Sequence, residues 1–140
     1  MALTRLTHEP LPPLASEPGP DDSGAELIFH GYVRGQEGGT PIRALYYEAY
    51  EEMAAKELER VAQEALARFP IAALRCWHRI GEVPVGAPSL RIVIRSKHRA
   101  EALEAMAWFI DQLKQHVPIY KWAVDARGHR RPCGEPGAAP

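Results

Sequence analysis

The chain has 140 residues, of which 46% are hydrophobic and 25% charged, a composition ordinary for a globular protein that buries its own core. Its formal net charge of −1 argues against nucleic-acid binding across the whole surface and leaves room for a local cationic site. No apolar run reaches the roughly 18 residues of a membrane span, and the N-terminus lacks the apolar segment of a secretion signal. We therefore expect a single cytoplasmic domain, residues 1–140, with no membrane contact.

The first part of the chain predicts strands joined by loops. Residues 2–7 alternate weakly between polar and apolar side chains, which favours an edge strand, and the proline-rich stretch that follows up to residue 23 predicts a loop. Alternation over residues 27–33 and again over residues 42–50 predicts two further strands. Between them lie residues 35–41, which contain three glycines and are expected to form a mobile loop.

Two amphipathic helices are predicted in the rest of the chain, at residues 51–69 and 99–116. Their apolar stripes include Met53 in the first helix and Leu103 in the second. Residues 129–140 are rich in glycine, proline and alanine and are expected to be a flexible tail. Three more strands are predicted, at residues 74–80, 90–95 and 119–124, with a Gly/Pro turn region at residues 81–89.

The order of these elements, β-β-α-β-β-α-β, does not keep strict βαβ alternation. Most strands have one polar and one apolar face, which is typical of antiparallel sheets covered by helices on one side. The predicted class is therefore α+β, with mostly antiparallel sheets and two main helices. Cys76 falls in an alternating stretch and is expected to be buried, whereas Cys133 lies in a Gly/Pro tail. The two have no metal or redox spacing, and a disulfide between them is possible but not expected. We also expect no cofactor.

A first cationic group stands where the strand at residues 90–95 gives way to the second helix. Lys97, His98 and Arg99 surround the predicted helix start, where free backbone N–H groups and the positive end of the helix dipole favour an anion such as phosphate. The alternative is that these are solvated charges beside a helix cap. Composition and spacing do not decide between the two.

A second cationic group is formed by Lys114 and Lys121, and Arg34 is a separate candidate at the end of the strand predicted at residues 27–33. Lys114 lies near the end of the second helix, and a turn at Pro118 could bring Lys121 on the next strand beside it. Paired ammonium groups bind anions and lower each other's pKa, and an arginine at a strand end such as Arg34 can clamp an oxyanion. Helix-end complementation and plain surface exposure are the alternative explanations of the same residues.

Two other sets of residues are weaker candidates for a functional site. His78 shares a strand face with Cys76, which favours a hydrogen-bonded core histidine over a ligand. Trp77, between Arg75 and Arg79, is the one aromatic with basic neighbours that could serve a single-stranded RNA binder. The net charge does not support that reading, so we expect no nucleic-acid partner.

Five segments, taken in order, resemble the large, catalytic subunit of the molybdopterin synthase family. They are residues 24–34 (GAELIFHGYVR), residues 45–50 (LYYEAY) followed by Met53-Ala54, residues 78–82 (HRIGE), His98-Arg99 with Ala102, and residues 111–114 (DQLK) with residues 118–121 (PIYK). The resemblance implies an α/β-hammerhead-like fold and a central homodimer. Each protomer would bind a small ubiquitin-like sulfur carrier to give a heterotetramer.

The resemblance also implies a reaction. Sulfur would pass from a thiocarboxylate at the carrier's C-terminal Gly-Gly to cyclic pyranopterin monophosphate, forming the molybdopterin dithiolene of the molybdenum cofactor. By position, Lys114 and Lys121 match the family's catalytic residues, and Arg34, His98 and Arg99 match residues that bind the substrate. The same five residues stand out as anion binders by their placement alone.

The resemblance weakens after Lys121, and this motivates an alternative. The family usually continues with a basic residue and a glutamate and later a Gly-x-x-Trp, whereas this chain has Trp122-Ala123 and then Gly128 followed by His-Arg-Arg. The alternative is a non-catalytic homodimeric relative that binds an anion or a carrier without turnover.

Overall fold

The computed structural model describes residues 1–15, 18–19 and 22–133. Within these ranges the chain forms ten strands and two helices. In chain order they are β1 (Ala2–Thr7), β2 (Ala25–Tyr32), β3 (Gln36–Glu37), β4 (Thr40–Pro41), β5 (Ala44–Ala49), α1 (Glu51–Arg68), β6 (Ile71–Arg79), β7 (Gly81–Pro84), β8 (Pro88–Ser96), α2 (Arg99–His116), β9 (Ile119–Val124) and β10 (Arg130–Pro132).

The strands form two four-stranded sheets and one short hairpin. The first sheet has the order β1-β6-β8-β2, the second has the order β10-β9-β5-β7, and β3 pairs with β4. Only the pairing of β1 with β6 is parallel among the described residues, and the others are antiparallel. The predicted α+β class with mostly antiparallel sheets and two main helices is confirmed.

The core lies between the first sheet and the two helices, which pack against that sheet and against each other. Ile92 and Ile94 on the central strand β8 are fully buried, as is Phe109 on α2. Their alternation on the strand places them on the helix side of the sheet, so burial of these side chains stabilises the layer. No helix of the described residues is long and apolar enough to cross a membrane.

Both helices have nearly the predicted bounds, but two residues assigned to their apolar stripes are exposed. Met53 is 59% exposed and Leu103 is 54% exposed. Met53 directly precedes the fully buried Ala54 and Leu103 directly follows the fully buried Ala102, and adjacent helical positions point about 100° apart. The prediction was wrong because small alanines, rather than the larger neighbouring side chains, are buried at these points of the helices.

The second sheet brings Tyr47 and Lys121 together. Its strand β5 lies between β9 and β7, and the register of β5 with β9 places Tyr47 directly opposite Lys121. β9 follows α2 almost at once, because Val117 caps the helix and its carbonyl accepts a hydrogen bond from the Ile119 amide at 2.8 Å. This tight turn brings the start of β9 back beside the end of α2.

Three segments predicted as loops contain strands. Residues 35–41 form the β3–β4 hairpin, in which Gly38 and Gly39 have φ of 59° and 80°, as the two central positions of a type I′ turn require. Residues 81–84 form β7, and residues 130–132 of the expected flexible tail form β10, paired with β9. Residues 134–140 of that tail lie outside the described residues, as do 16–17 and 20–21 of the N-terminal loop.

Both cysteines are free thiols. Cys76 is fully buried in the core, as its alternating stretch predicts, and burial raises the pKa of its thiol. Cys133 follows β10 and is partly buried, with its amide donating to the Lys121 carbonyl at 3.0 Å. The tail strand is therefore tied to the strand that carries Lys121.

Candidate functional site

A cleft of about 190 Å³ opens where the second sheet meets the C-terminal end of α2 and the end of β2. Ligand pockets for whole small molecules usually measure roughly 300–1,000 Å³, so this cleft fits a narrow group or a chain end better than a complete cofactor-sized ligand. The side chains that line it with polar or charged groups include Arg34, Glu37, Tyr47, His78, Ser89, Lys114 and Lys121.

Three cations from three separate parts of the chain meet at this cleft. Arg34 follows β2 and is exposed, Lys114 lies in the last turn of α2 and is exposed, and Lys121 is half-buried on β9. Among the described residues, none of the three forms an ion pair with an acid. We refer to Arg34, Lys114 and Lys121 as the three cations. Their convergence without ion-paired carboxylates gives the cleft a positive lining that favours an anion.

The floor of the cleft is a buried hydroxyl pair. The Tyr47 hydroxyl lies 2.8 Å from the Ser89 hydroxyl, and the two residues are 6% and 4% exposed. Burial raises the pKa of Tyr47, an effect opposed by the Ser89 hydrogen bond and reinforced by the nearby Cys133 and Glu37. Tyr47 therefore stays a neutral phenol that can donate or accept one hydrogen bond at the base of the cleft.

His78 lies beside this pair and lines the cleft although it is only 4% exposed. Its Nδ1 is 2.7 Å from the Arg79 carbonyl, which can only accept, so Nδ1 carries the proton. Its ring stands edge-on to Tyr47 with centroids 5.1 Å apart. Burial, together with the positive charge of Lys121, lowers its pKa to about 4, although the backbone hydrogen bond opposes the shift. The predicted hydrogen-bonded core histidine is thus also a neutral group of the cleft wall.

The state of His78 predicts how stability depends on pH. The unfolded chain binds this proton near pH 6.5, whereas the folded chain binds it only near pH 4. Stability from the neutral ring is complete above pH 6.5 and is lost as pH falls toward 4, by up to roughly 3 kcal/mol. The measurement is the free energy of unfolding, by denaturant, of the wild type and of His78→Asn at pH 7.5 and 4.5. The wild type's excess in unfolding free energy over the variant should become smaller at pH 4.5. An excess that does not change with pH would contradict a lowered pKa for His78.

His98 and Arg99 lie elsewhere on the chain. They form the N-terminal end of α2, both are exposed, and neither lines the cleft. Fifteen residues of helix separate Arg99 from Lys114, a distance of roughly 22 Å at 1.5 Å per residue. The His98 side chain makes no capping hydrogen bond, while the fully buried Ser96 donates its hydroxyl to the His98 carbonyl.

The five predicted site residues therefore fall into two groups within one chain. Three of them share the cleft, and the other two, with Lys97 beside them, mark the opposite end of α2. The pattern missed Glu37, Tyr47 and Ser89 as site residues. The cross-strand pairing of Tyr47 with Lys121 could not be read from the sequence, and Glu37 falls in the segment expected to be a loop.

A family model and a curated relative point to the same family. The MoaE protein family matches residues 6–116 of the chain. The molybdopterin synthase catalytic subunit of Pyrococcus abyssi is 48% identical over 106 residues, which cover 76% of this chain and 72% of that protein.

Solved structures agree with this result. The structure of molybdopterin synthase from Staphylococcus aureus superposes with a TM-score of 0.81 and 27% identity, covering 93% of this chain and 96% of that one. A complex of subunits 1 and 2 of molybdopterin-converting factor from Helicobacter pylori superposes with a TM-score of 0.68 and 28% identity, covering 81% of this chain and 74% of that one. The chain belongs to the MoaE protein family.

Proposed function

We propose that this chain is the catalytic subunit of a molybdopterin synthase, a sulfurtransferase of molybdenum cofactor biosynthesis. It transfers sulfur from the thiocarboxylate of a small ubiquitin-like carrier to cyclic pyranopterin monophosphate, forming the dithiolene. The observation that carries the proposal is the meeting of the three cations at one narrow cleft, without carboxylate ion-pair partners among the described residues. A thiocarboxylate and a phosphate are both anions, and both are bound by cationic groups of this kind.

Within this proposal the carrier's Gly-Gly end enters the cleft. Its volume of about 190 Å³ suits an extended chain end without bulky side chains, and glycine is the residue that has none. Lys114 and Lys121 are the catalytic residues, since they can stabilise the negative charge that moves onto the acyl oxygen during transfer. Arg34 holds the substrate with its planar guanidinium, which matches an oxyanion with two hydrogen bonds.

His98 and Arg99 bind the substrate phosphate from a second copy of the chain. A phosphate suits the start of α2 because free N–H groups, the helix dipole and both side chains favour it. The roughly 22 Å between the helix ends is too long for a single small substrate to bridge within one chain. A homodimer that sets the α2 start of one protomer against the cleft of its partner resolves the separation.

The full assembly is then a homodimer with one carrier on each protomer, a heterotetramer. The Helicobacter pylori structure is a complex of two subunits of molybdopterin-converting factor, which supports a small partner subunit for this chain. We place the reaction in the cytoplasm, where reducing conditions keep thiols such as Cys76 and Cys133 unpaired.

The direct test is reconstitution. Purified protein is mixed with carrier bearing a C-terminal thiocarboxylate and with cyclic pyranopterin monophosphate, and the dithiolene product is measured. We expect product in proportion to the thiocarboxylate supplied, and none with carrier ending in an ordinary carboxylate. Tight binding of the thiocarboxylated carrier without any product would favour the non-catalytic relative instead.

A further inference from the structure

Sulfur transfer from a thiocarboxylate leaves a chemical problem that the three cations do not solve. Once the carrier's sulfur bonds to a substrate carbon, carrier and substrate are joined as a thioester. Release requires water to add to the acyl carbon and the carbon–sulfur bond to break. Water at neutral pH is a poor nucleophile, and a positioned base that removes its proton typically accelerates such a step roughly 10²–10⁴-fold.

Most polar groups around the cleft are unsuited to accept that proton. The three cations carry donors only, in their charged forms. Burial raises the pKa of Tyr47, which leaves it a protonated phenol and an acid. His78 has a second ring nitrogen, but the residue is only 4% exposed and burial lowers its pKa to about 4, so it is shielded from water and weakly basic.

Glu37 is the one carboxylate among the described residues that line the cleft. It lies at the end of β3, is partly exposed and so can reach water. It lines the same cleft as Tyr47, and its negative charge helps to raise the pKa values of Tyr47 and Cys133. It forms no ion pair with the three cations, so its oxygens are not committed to another group there.

The hairpin that carries Glu37 is held in place at both ends. The Ile42 amide donates to the Gly35 carbonyl at 3.1 Å, which closes the base of the hairpin, and Gly38-Gly39 form its turn. Arg131 on β10 donates from its guanidinium to the Glu37 carbonyl oxygen at 3.0 Å. The tail strand therefore fixes the backbone of Glu37 and leaves its side chain free for the cleft.

We propose that Glu37 is a further catalytic residue, the general base that releases the carrier after sulfur transfer. This rests on the proposed function. Glu37 takes a proton from water as the water oxygen bonds to the acyl carbon of the thioester. The carbon–sulfur bond then breaks, and its electron pair leaves with sulfur as a thiolate on the substrate. The carrier departs with an ordinary carboxyl group, and the protons left on Glu37 and on that group pass to solvent.

The test is a single-turnover reaction of wild type and Glu37→Gln with thiocarboxylated carrier, stopped in acid and analysed by intact mass spectrometry. Glutamine keeps the shape and the backbone bond to Arg131 but cannot accept the proton. We expect the carrier–substrate adduct to form normally and to break down at least about 100-fold more slowly than in wild type. Its breakdown in Glu37→Gln should also accelerate with rising hydroxide concentration.

Glu37→Asp and Glu64→Gln complete the experiment. Aspartate keeps a carboxylate one methylene shorter and should recover part of the rate, while Glu64, on α1 and ion-paired with Arg60 and Arg68, should not matter. Adduct breakdown in Glu37→Gln at the wild-type rate would overturn the inference alone, as would slow adduct formation without accumulation. Absence of both adduct and product in the wild type would overturn the proposed function together with it.

Discussion

Replacing Lys121 with alanine is expected to slow sulfur transfer by roughly two to three orders of magnitude, the usual effect of removing one donor from a preorganised anion-stabilising site. Lys121 is half-buried, lies opposite Tyr47 in the sheet and is close enough to His78 to lower its pKa. An ammonium held in such surroundings acts on developing negative charge without the reorganisation that water would need. Lys114→Ala should behave in the same way, since Lys114 reaches the cleft from the end of α2.

Neither substitution should disturb the fold. Lys114 is exposed, and neither lysine forms an ion pair among the described residues, so little stabilising interaction is lost with the side chain. In Lys121→Ala the removal of a positive charge beside His78 should raise the pKa of that ring. Because both variants should stay folded, a loss of rate can be separated from a loss of stability.

The measurement is a single-turnover rate of product formation, accompanied by thermal unfolding of each variant. Lys56→Ala is the matched control, because Lys56 is an exposed lysine on α1 whose partner is Glu52 rather than the cleft. Near wild-type rates in both Lys114→Ala and Lys121→Ala would refute their catalytic role. A large fall in melting temperature would instead mean that these lysines support the fold.

Local patterns were sufficient for the main elements of the fold. Each helix fills an 18-residue stretch whose end is marked by a proline shortly after it, Pro70 or Pro118, and these signals act within a few residues of chain. The long strands β6 and β8 follow from alternation in the same way. The short strands β7 and β10 do not, since segments of three or four residues become strands only when a distant partner supplies the hydrogen bonds.

In the candidate site, too, local features could be predicted and long-range ones could not. Arg34 and Lys114 could be predicted because cations at the ends of strands and helices are visible in the sequence, and Lys121 because the turn at Pro118 lies between it and Lys114. Their meeting at one cleft is a long-range property, which for Lys121 depends on the register that pairs β9 with β5. Glu37 was hidden because the glycines beside it predict a loop, whereas their left-handed conformations build the turn that presents it.

The second large effect is expected from combining two defective variants. Lys121→Ala and Arg99→Ala should each be nearly inactive as homodimers. A two-fold dimer whose sites take Lys121 from one protomer and Arg99 from the other behaves differently when the variants are mixed. In the heterodimer both changes fall in the same site, and the second site contains neither. By this symmetry a purified heterodimer should recover about half of the wild-type rate.

Co-expression of the two variants with different affinity tags, followed by sequential purification, gives the heterodimer for the same single-turnover assay. A heterodimer of Lys121→Ala with Lys114→Ala is the control. Both of these residues line the cleft of a single chain, so each of its two sites carries one defect and no activity should return. If activity returns in the heterodimer of Lys121→Ala with Arg99→Ala but not in the heterodimer with Lys114→Ala, the start of α2 lies at the partner's cleft. Two results would contradict this arrangement: both heterodimers remain inactive, or light scattering at micromolar concentration shows a monomer. In either case His98 and Arg99 would lie outside the reaction site. Within one chain they are separated from Lys114 by roughly 22 Å of helix, which cannot be shortened.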